Sequence, residues 1–283
     1  MKQDKTRVLI PLDGSPMGNA VLTSIYPLVH ARSVEVTLLH VAKPSGDDES
    51  EAVQRLEFQR HALQGNGIPT RVRLVTGTPA DEILRQAATG EFDLIAMATH
   101  GRTGMDRVLM GSVAEAVVRS SPIPTLLCKS RGRAGNWERI VVALDGTAGS
   151  EEILGDVVRI ARSLGSTIHL VQVGLGLLRT DSYRGVSFHA AEEDSSAYLD
   201  EIAARLMIEG ISAVPEHREG LAGVEIPLLA QQLDAGLICM TTEGRPEVVP
   251  GLGRSVAAEV IQTAPCPVYV RRMCGAGKAV QAR

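Results

Sequence analysis

The stretch RVLIPLDGS, residues 7–15, returns later in the chain as RIVVALDGT, residues 139–147. Both copies begin with a run of aliphatic residues and end in an Asp-Gly step, so Asp13 and Asp145 occupy the same position of the repeat. An aliphatic run followed by Asp-Gly is typical of a buried strand that ends in a turn. A strand-and-turn unit that occurs twice predicts a duplicated domain.

Three further pairs of matching segments follow in the same order along the two halves of the chain. They are HARS and IARS (30–33 and 160–163), DLIAMATHGR and GLICMTTEGR (93–102 and 236–245), and SVAEAVVRSSPIPTLL and SVAAEVIQTAPCPVYV (112–127 and 255–270). Ordered matches with small changes of offset indicate a tandem duplication. We therefore predict a first domain over 1–128, a polar linker over 129–138, a second domain over 139–273 and a flexible tail over 274–283.

Each half alternates near-continuous apolar runs with segments of helical periodicity. In the first half the predicted strands are 7–12, 34–41, 70–75, 93–98 and 124–128, and the predicted helices are 15–32, 51–65, 79–89 and 112–120. Strands that are apolar on both faces are typical of a parallel sheet covered by helices on both sides. The alternation predicts an α/β fold made of two tandem, doubly wound parallel-sheet sandwiches.

The ligand crevice of a doubly wound sheet lies beyond the carboxyl ends of its strands. Asp13, Val41 and Ala98 lie at the carboxyl ends of three of the predicted strands, so we expect them to face one crevice. The loop after Ala98 leads to Gly111 and Ser112, at the predicted start of a helix. Because a helix N-terminus presents unpaired N–H groups and a positive dipole end, this loop is suited to a phosphate.

Glycines in this loop, Gly101 and Gly111, allow close backbone approach and a positive φ. The residues alone leave a plainer alternative open, in which Ser112 only caps the helix and the glycines only turn the chain. Asp13 likewise has two interpretations, a turn residue or a contact to a nucleoside. For the other polar residues of the loop we expect exposed positions, with His100 not catalytic and with Arg102 and Arg107 near a phosphate only as the less favoured alternative.

The loop resembles the signature of the universal stress protein family, G-2x-G-9x-G-(S/T). Here it reads Ala98-Thr99-His100-Gly101, nine residues, and then Gly111-Ser112, with Ala98 in the place of the first glycine. The PLDGS start and the SPIPTLL finish also resemble the family, and the likeness extends over nearly the whole chain as two tandem domains. The resemblance implies a strand order of 3-2-1-4-5 in each domain and an ATP site built on the first-strand Asp and a strand-two backbone group.

Carried over by position, the resemblance assigns ten residues to that site. It places Pro11, Leu12, Asp13 and Val41 around the nucleoside, Met97 and Ala98 near the ribose, and Gly101, Gly111, Ser112 and Val113 around the phosphates. The implied ligand is ATP, alone or with Mg²⁺. At the first glycine position, the Ala98 methyl group narrows the site, or is harmless where φ is negative.

The second half departs from the signature at the loop. Glu243 stands at the position of His100, Arg254 stands at the position of Gly111, and Gly253 follows Gly244 after only eight residues. A side chain at Arg254 obstructs the approach of backbone to phosphate, and the Glu243 carboxylate repels it. We therefore predict nucleotide binding in the first domain and weak or no binding in the second.

Composition narrows the class of protein. A net charge of −4 with mixed signs lacks the basic surface of a nucleic-acid binder. No apolar run reaches the roughly 20 residues that span a bilayer, and the first residues lack the apolar segment of a signal peptide. The four cysteines, Cys128, Cys239, Cys266 and Cys274, have no metal-binding spacing, which favours reduced thiols and a cytoplasmic location.

Function remains open between three classes at this point: an ATP-binding stress regulator, a slow ATPase, and an interaction protein that binds no nucleotide. A Walker A loop and the SGGxDS and HIGH motifs are absent from the sequence, and no acid–base pair accompanies the loop. The final strands of the halves, IPTLLCK and CPVYVRR, are suited to pair edge to edge and join the domains. A homodimer and a protein partner of unknown identity are the remaining expectations for assembly.

Overall fold

Strands and helices alternate along both halves of the chain, as the apolar runs predict. The computed structural model describes residues 5–15, 20–31, 34–42, 49–99, 110–129, 136–174, 189–244, 248–249 and 253–273. In the first half the elements are β1 (Thr6–Pro11), α1 (Ala20–Ser24), α2 (Tyr26–Ala31), β2 (Val34–Ala42), α3 (Glu49–Gly65), β3 (Thr70–Thr76), α4 (Pro79–Ala87), β4 (Leu94–Ala98), α5 (Ser112–Ser120) and β5 (Thr125–Cys128).

The second half repeats this order. Its elements are β6 (Arg139–Ala143), α6 (Ala148–Glu151), α7 (Leu154–Leu164), β7 (Thr167–Gly174), α8 (His189–Ile208), β8 (Ala213–Glu219), α9 (Ala222–Gln232), β9 (Leu237–Thr242), β10 (Val248–Val249), β11 (Gly253–Arg254), α10 (Val256–Thr263) and β12 (Val268–Arg272). The pair β10 and β11, two residues each and antiparallel, has no counterpart among the predicted strands.

Ten strands form one continuous sheet in the order β3-β2-β1-β4-β5-β12-β9-β6-β7-β8. Each half therefore has the strand order 3-2-1-4-5, and the pairs inside each half are parallel. This is the doubly wound α/β sheet that the sequence predicts, present twice.

The two halves join through their last strands, because β5 and β12 pair in antiparallel orientation. Leu126 lies opposite Tyr269, and these two residues are also counterparts in the repeat. A local two-fold axis therefore passes between them and relates one domain to the other. The expectation that the final strands join the halves is confirmed.

A lysine next to this seam ties the first domain to the second. The Lys129 ammonium donates to the carbonyl oxygens of Gln262, at 2.5 Å, and Ala264, at 2.9 Å. Both acceptors lie at the C-terminal end of α10, where unpaired carbonyls and the negative dipole end favour a cation. Across the axis, Gly244 packs so closely on α5 that a Cβ there would lie 2.6 Å from the carbonyl oxygen of Arg119.

Two apolar cores cover the two faces of the sheet, and both extend through both domains. The first core lies beneath α1, α2, α3, α7 and α8 and includes Ile10, Leu38, Leu126, Val142 and Leu170. The second core lies beneath α4, α5, α9 and α10 and includes Leu9, Ile95, Val117, Val141 and Ile238. Side chains that alternate along each strand supply both cores, which explains the near-continuous hydrophobicity of the strands.

Two local expectations need adjustment. The helix predicted over 15–32 is not continuous: α1 ends before Ile25, and Pro27, which has no N–H to donate, lies in the first turn of the separate helix α2. Near the end of the predicted linker, Trp137 is only 2% exposed and belongs to the first core. In the described ranges, every helix is too short or too polar to cross a bilayer.

Candidate functional site

The turn after β1 is shaped by the carboxylate of Asp13. Its Oδ1 atom accepts the N–H of Ser15 at 2.9 Å, and Gly14 between them has φ of +77°. This is an Asx turn, which requires a short side-chain acceptor and a residue that tolerates positive φ. The turn role of Asp13 is therefore confirmed, while its contact to a nucleoside stays a prediction.

The second domain builds the same turn with Asp145. Oδ1 of Asp145 accepts from the N–H of Thr147 at 2.9 Å and from its hydroxyl at 2.6 Å. Burial raises the pKa of Asp145, but the hydrogen bonds from Thr147 and Ser150 outweigh burial and hold it below the ordinary value. Conservation of this turn through the duplication fits a structural role that both domains need.

The strand ends beside the turn bring further predicted residues together. Pro11 is the last residue of β1, and the N–H of Leu12 donates to the carbonyl of Leu39 on β2 at 2.8 Å. The side chains of Val41, at the end of β2, and Met97, at the end of β4, both pack on the second core. These two residues thus lie on the same face of the sheet as α5.

The two ends of the loop between β4 and α5, Thr99 and Gly111, lie next to each other. The N–H of Gly111 donates to the carbonyl of Thr99 at 2.8 Å, while the N–H of Thr99 donates to the carbonyl of Cys128 at 3.0 Å. Gly111 has φ of −63° and ψ of 145°, so it does not use the positive φ that a glycine allows. Thr99, which the sequence analysis did not single out, fixes the helix start against the end of β4.

Helix α5 begins at Ser112, and Gly111 occupies its N-cap position without a side-chain hydrogen bond. Ser112 is therefore the exposed first residue of the helix, and the alternative that it serves as the N-cap is wrong. Val113 packs on the second core and fixes the orientation of the first turn. The leading N–H groups of a helix have no acceptor within it, so this terminus is a favourable place for an anion.

The methyl group at Ala98 is accommodated by the fold. Ala98 is the last residue of β4, pairs with Cys128 and packs against the first core, on the face opposite Met97. Among the described residues, Asp234 is the one non-glycine with positive φ, so Ala98 does not have the backbone conformation that would require a glycine. An alanine at the first signature position consequently turns its methyl group away from the α5 face.

Four residues of the loop, His100, Gly101, Arg102 and Arg107, lie outside the described residues. Over the ranges that are described, no cluster of three or more His, Cys, Asp or Glu side chains is arranged for a metal ion. The three cysteines in those ranges are buried, and burial raises the pKa of Cys128 and Cys266 to about 12.

The corresponding site of the second domain is built differently. Arg254 belongs to β11, where it pairs with Val248, and α10 begins one residue later than α5, with Ser255 at the N-cap. Gly244, which corresponds to Gly101, has φ of +70° and packs on the carbonyl of Arg119 in the first domain. This loop therefore contributes to the joint between the domains.

Comparison with known proteins matches both halves of the chain to one family. The family model described as the universal stress protein family matches residues 5–129 and 136–272. A universal stress protein of Methanocaldococcus jannaschii is 28% identical over 138 residues, which are 44% of this chain and 81% of that protein. A universal stress protein E homolog of Haemophilus influenzae is 24% identical over 269 residues, covering 87% of this chain and 83% of the relative.

A solved structure has the same architecture over nearly the full length. The crystal structure of a universal stress protein from Archaeoglobus fulgidus superposes with a TM-score of 0.72, at 21% sequence identity, over 95% of this chain and 97% of that one. At this level of identity the likeness supports the fold, here the pair of α/β domains in one chain.

Proposed function

The chain belongs to the universal stress protein family, and we propose that it is a cytoplasmic stress-response regulator that binds an adenine nucleotide, ATP, in its first domain. The observation that carries the proposal is the N-terminus of α5. This nine-residue helix starts beside the end of β4, and its N-cap residue, Gly111, has no side chain with which to cap it. The terminus therefore offers N–H donors and a positive dipole end to a phosphate at the carboxyl edge of the sheet.

Roles follow for the residues around this terminus. The N–H groups of Ser112 and Val113 and the Ser112 hydroxyl bind phosphate oxygens, and Gly101 lets the loop backbone approach them. Gly111 contributes its lack of a side chain, because its N–H is already bonded to Thr99. Each hydrogen bond to a charged phosphate contributes roughly 1.5–3 kcal/mol.

The nucleoside is assigned to the ends of β1, β2 and β4. One side of the nucleoside is lined by Pro11, Leu12 and Asp13. The adenine contacts a backbone group of Val41, and the ribose lies next to Met97 and Ala98. Mg²⁺ would be held by the phosphates of the nucleotide, since the described part of the chain has no metal cluster of its own.

The second domain binds nucleotide weakly or not at all in this proposal. Its loop carries the Glu243 carboxylate and the Arg254 side chain where the first domain has His100 and Gly111. Its remaining role is structural, since Gly244 and α10 pack against residues of the first domain.

The test is a binding measurement on the full chain together with mass analysis of the small molecules released on denaturation. We expect an adenine nucleotide in the released fraction and, after its removal, calorimetric titration with ATP and Mg²⁺ to give one site per chain. Two equal sites would overturn the assignment to the first domain. A well-folded chain with no released nucleotide and no heat of binding would favour an interaction protein, and steady phosphate release would favour a slow ATPase.

A further inference from the structure

The end of β5 lies beside the loop that we assign to the phosphates. The carbonyl oxygen of Cys128, the last residue of β5, accepts the N–H of Thr99 at 3.0 Å, and the carbonyl oxygen of Thr99 accepts the N–H of Gly111 at 2.8 Å. Two backbone hydrogen bonds therefore connect the start of α5 to the peptide group that joins Cys128 to Lys129. Thr99 and Cys128 are buried, and buried backbone groups must keep their partners, so a movement of the helix start requires a movement of this peptide group.

The side chain of Lys129 continues this connection into the second domain. Its ammonium donates to two carbonyl oxygens at the C-terminal end of α10, those of Gln262 and Ala264. Burial lowers the pKa of Lys129, because the ammonium has lost part of its water and relies on these carbonyls for its hydrogen bonds. The last turn of α10 is therefore held by the residue that directly follows the Thr99 contact.

Helix α5 also packs directly on the second domain. A crevice between α5 and α10 has a volume of about 20 Å³, which is room for about one water molecule. Its lining includes Met110, Glu115 and Arg119 from the first domain and Gly244, Ser255 and Ala258 from the second. Because closely packed protein has low compressibility, a change in the position or mobility of α5 is passed on to α10.

The second domain differs at both steps of this connection. Thr242 is the counterpart of Thr99, but its carbonyl oxygen accepts the N–H of Met273 at 2.9 Å. Arg272, the counterpart of Lys129, is exposed. The connection through a buried lysine therefore belongs to the domain to which we assign the phosphates, and it leads to a helix of the other domain.

We propose that Lys129 couples nucleotide binding in the first domain to the stability of α10 in the second. The inference rests on the proposed nucleotide site. A phosphate bound at Ser112 orders the start of α5, and the bonds through Thr99 then restrain the peptide group before Lys129. The ammonium passes this restraint to the last turn of α10, which opens less often when nucleotide is bound. Binding that rigidifies one region can stabilise another in this way without a large change of shape.

Hydrogen–deuterium exchange of the full chain, read by mass spectrometry with and without ATP and Mg²⁺, tests the coupling. ATP should slow exchange in residues 112–120 by direct binding. In residues 256–264 it should slow exchange by about fivefold or more, the lower end of ordinary coupling between two sites. Residues 198–208 of α8, on the other face of the sheet, report any general stabilisation of the second domain and should change by less than about twofold.

Variants of Lys129 assign the effect to its ammonium. Lys129→Met removes the charge and keeps an unbranched side chain; ATP should still slow exchange in residues 112–120, but the slowing in residues 256–264 should be lost. Lys129→Arg retains a cation and should preserve the slowing in both segments. Arg272→Met is the matched control at the counterpart position and should also preserve it.

The two helices separate failure of the coupling from failure of the nucleotide site. No slowing in residues 112–120 of the unaltered chain would overturn the nucleotide site and the coupling with it. Slowing in residues 112–120 without slowing in residues 256–264 would overturn the coupling alone. Equal slowing in α8 and α10, or undiminished slowing of α10 in Lys129→Met, would also overturn it.

Discussion

The two domains have the same strand order, but a residue of the last strand is in a neutral pair in the first domain and in a charged pair in the second. In the first domain Ser24 hydrogen-bonds to the buried thiol of Cys128. Counted from the turn residues Asp13 and Asp145, the counterpart of Ser24 is Asp156, and the counterpart of Cys128 is Arg271. These two form an ion pair, with Nε of Arg271 2.6 Å from the Asp156 carboxylate. Asp156 is 4% exposed and also pairs with Arg159. This position therefore accepts either a neutral pair or a charged pair, and both members of the pair differ together between the domains.

The largest effect we predict comes from breaking the charged pair. Asp156→Ser leaves the Arg271 guanidinium without its carboxylate. Removal of one partner from a buried pair costs about 3–5 kcal/mol, and we expect about 3 kcal/mol here because the Arg271 side chain is 26% exposed. Urea denaturation of the full chain should show this loss as a lower midpoint of unfolding. Ser24→Ala, the corresponding change in the first domain, should cost about 1 kcal/mol because it removes a neutral hydrogen bond.

A double variant distinguishes pairing from simple packing. Asp156→Ser with Arg271→Cys recreates the residues of the first domain, and it should recover a large part of the stability that the single change loses. If the double variant is less stable than Asp156→Ser alone, the neutral pair of the first domain cannot replace the charged pair of the second, which would contradict this prediction.

The second-largest effect is expected at the start of α5, where the two domains have different residues. Gly111→Arg gives the first domain the residue found in the second, and we expect ATP affinity of the full chain to fall at least about 100-fold, equivalent to about 2.7 kcal/mol. The cause is a side chain placed where backbone must approach a phosphate. Isothermal titration measures the change, and circular dichroism checks the fold.

Arg254→Gly is the control in the second domain for this experiment. The reverse change should not create a second strong site, because Glu243 and the shorter loop spacing remain. Undiminished binding by Gly111→Arg would show that the first-domain loop is not the phosphate site.

A smaller effect on stability is expected at the seam between β5 and β12, where Lys129 and Arg272 are counterparts. Lys129 donates to two carbonyls of α10, whereas Arg272 at the matching position is exposed. Lys129→Met should lower the free energy of unfolding by about 1–2 kcal/mol, since two charge-assisted bonds are lost and partly replaced by water. Arg272→Met should change it by less than about 0.5 kcal/mol. Equal losses, measured by urea denaturation at constant pH, would contradict this asymmetry.

The smallest effect concerns the outer face of one helix. Thr78, Asp81 and Arg85 of the first domain correspond to the exposed residues Leu221, Val224 and Leu228. Val224→Asp should alter stability by less than about 0.5 kcal/mol, because the side chain is 56% exposed, while reducing self-association in light scattering. Asp81→Val is the converse change and should increase scattering. Unchanged scattering in both variants would show that this stripe does not contribute to self-association.

Sequence reasoning succeeded where the repeat and the apolar pattern determine structure. Internal matches and aliphatic runs predict both domains, the parallel strands and the joining of β5 to β12, because burial of each strand on both faces leaves a pattern in the residues. Pro27 signals the break between α1 and α2, although the broad helical pattern conceals it. For the candidate site, the positions of Asp13, Val41 and Ala98 at strand ends follow from the same pattern.

Other features depend on contacts between distant segments. A glycine residue alone does not define its φ, so the conformation of Gly111 could not be read from the sequence. The bond from Gly111 to Thr99 requires the loop to close in three dimensions. The change from Ser24 and Cys128 to Asp156 and Arg271 is visible when the repeats are aligned, but its meaning depends on knowing that the two positions touch.

The axis between Leu126 and Tyr269 has a consequence for how this protein can evolve. In an assembly of two identical chains, one codon determines both sides of such an axis, so any mutation appears twice. Here each side has its own codon, and Lys129 can differ from Arg272 within a single gene. Each half of the chain is thereby free to change in its loop and on its surface independently of the other half.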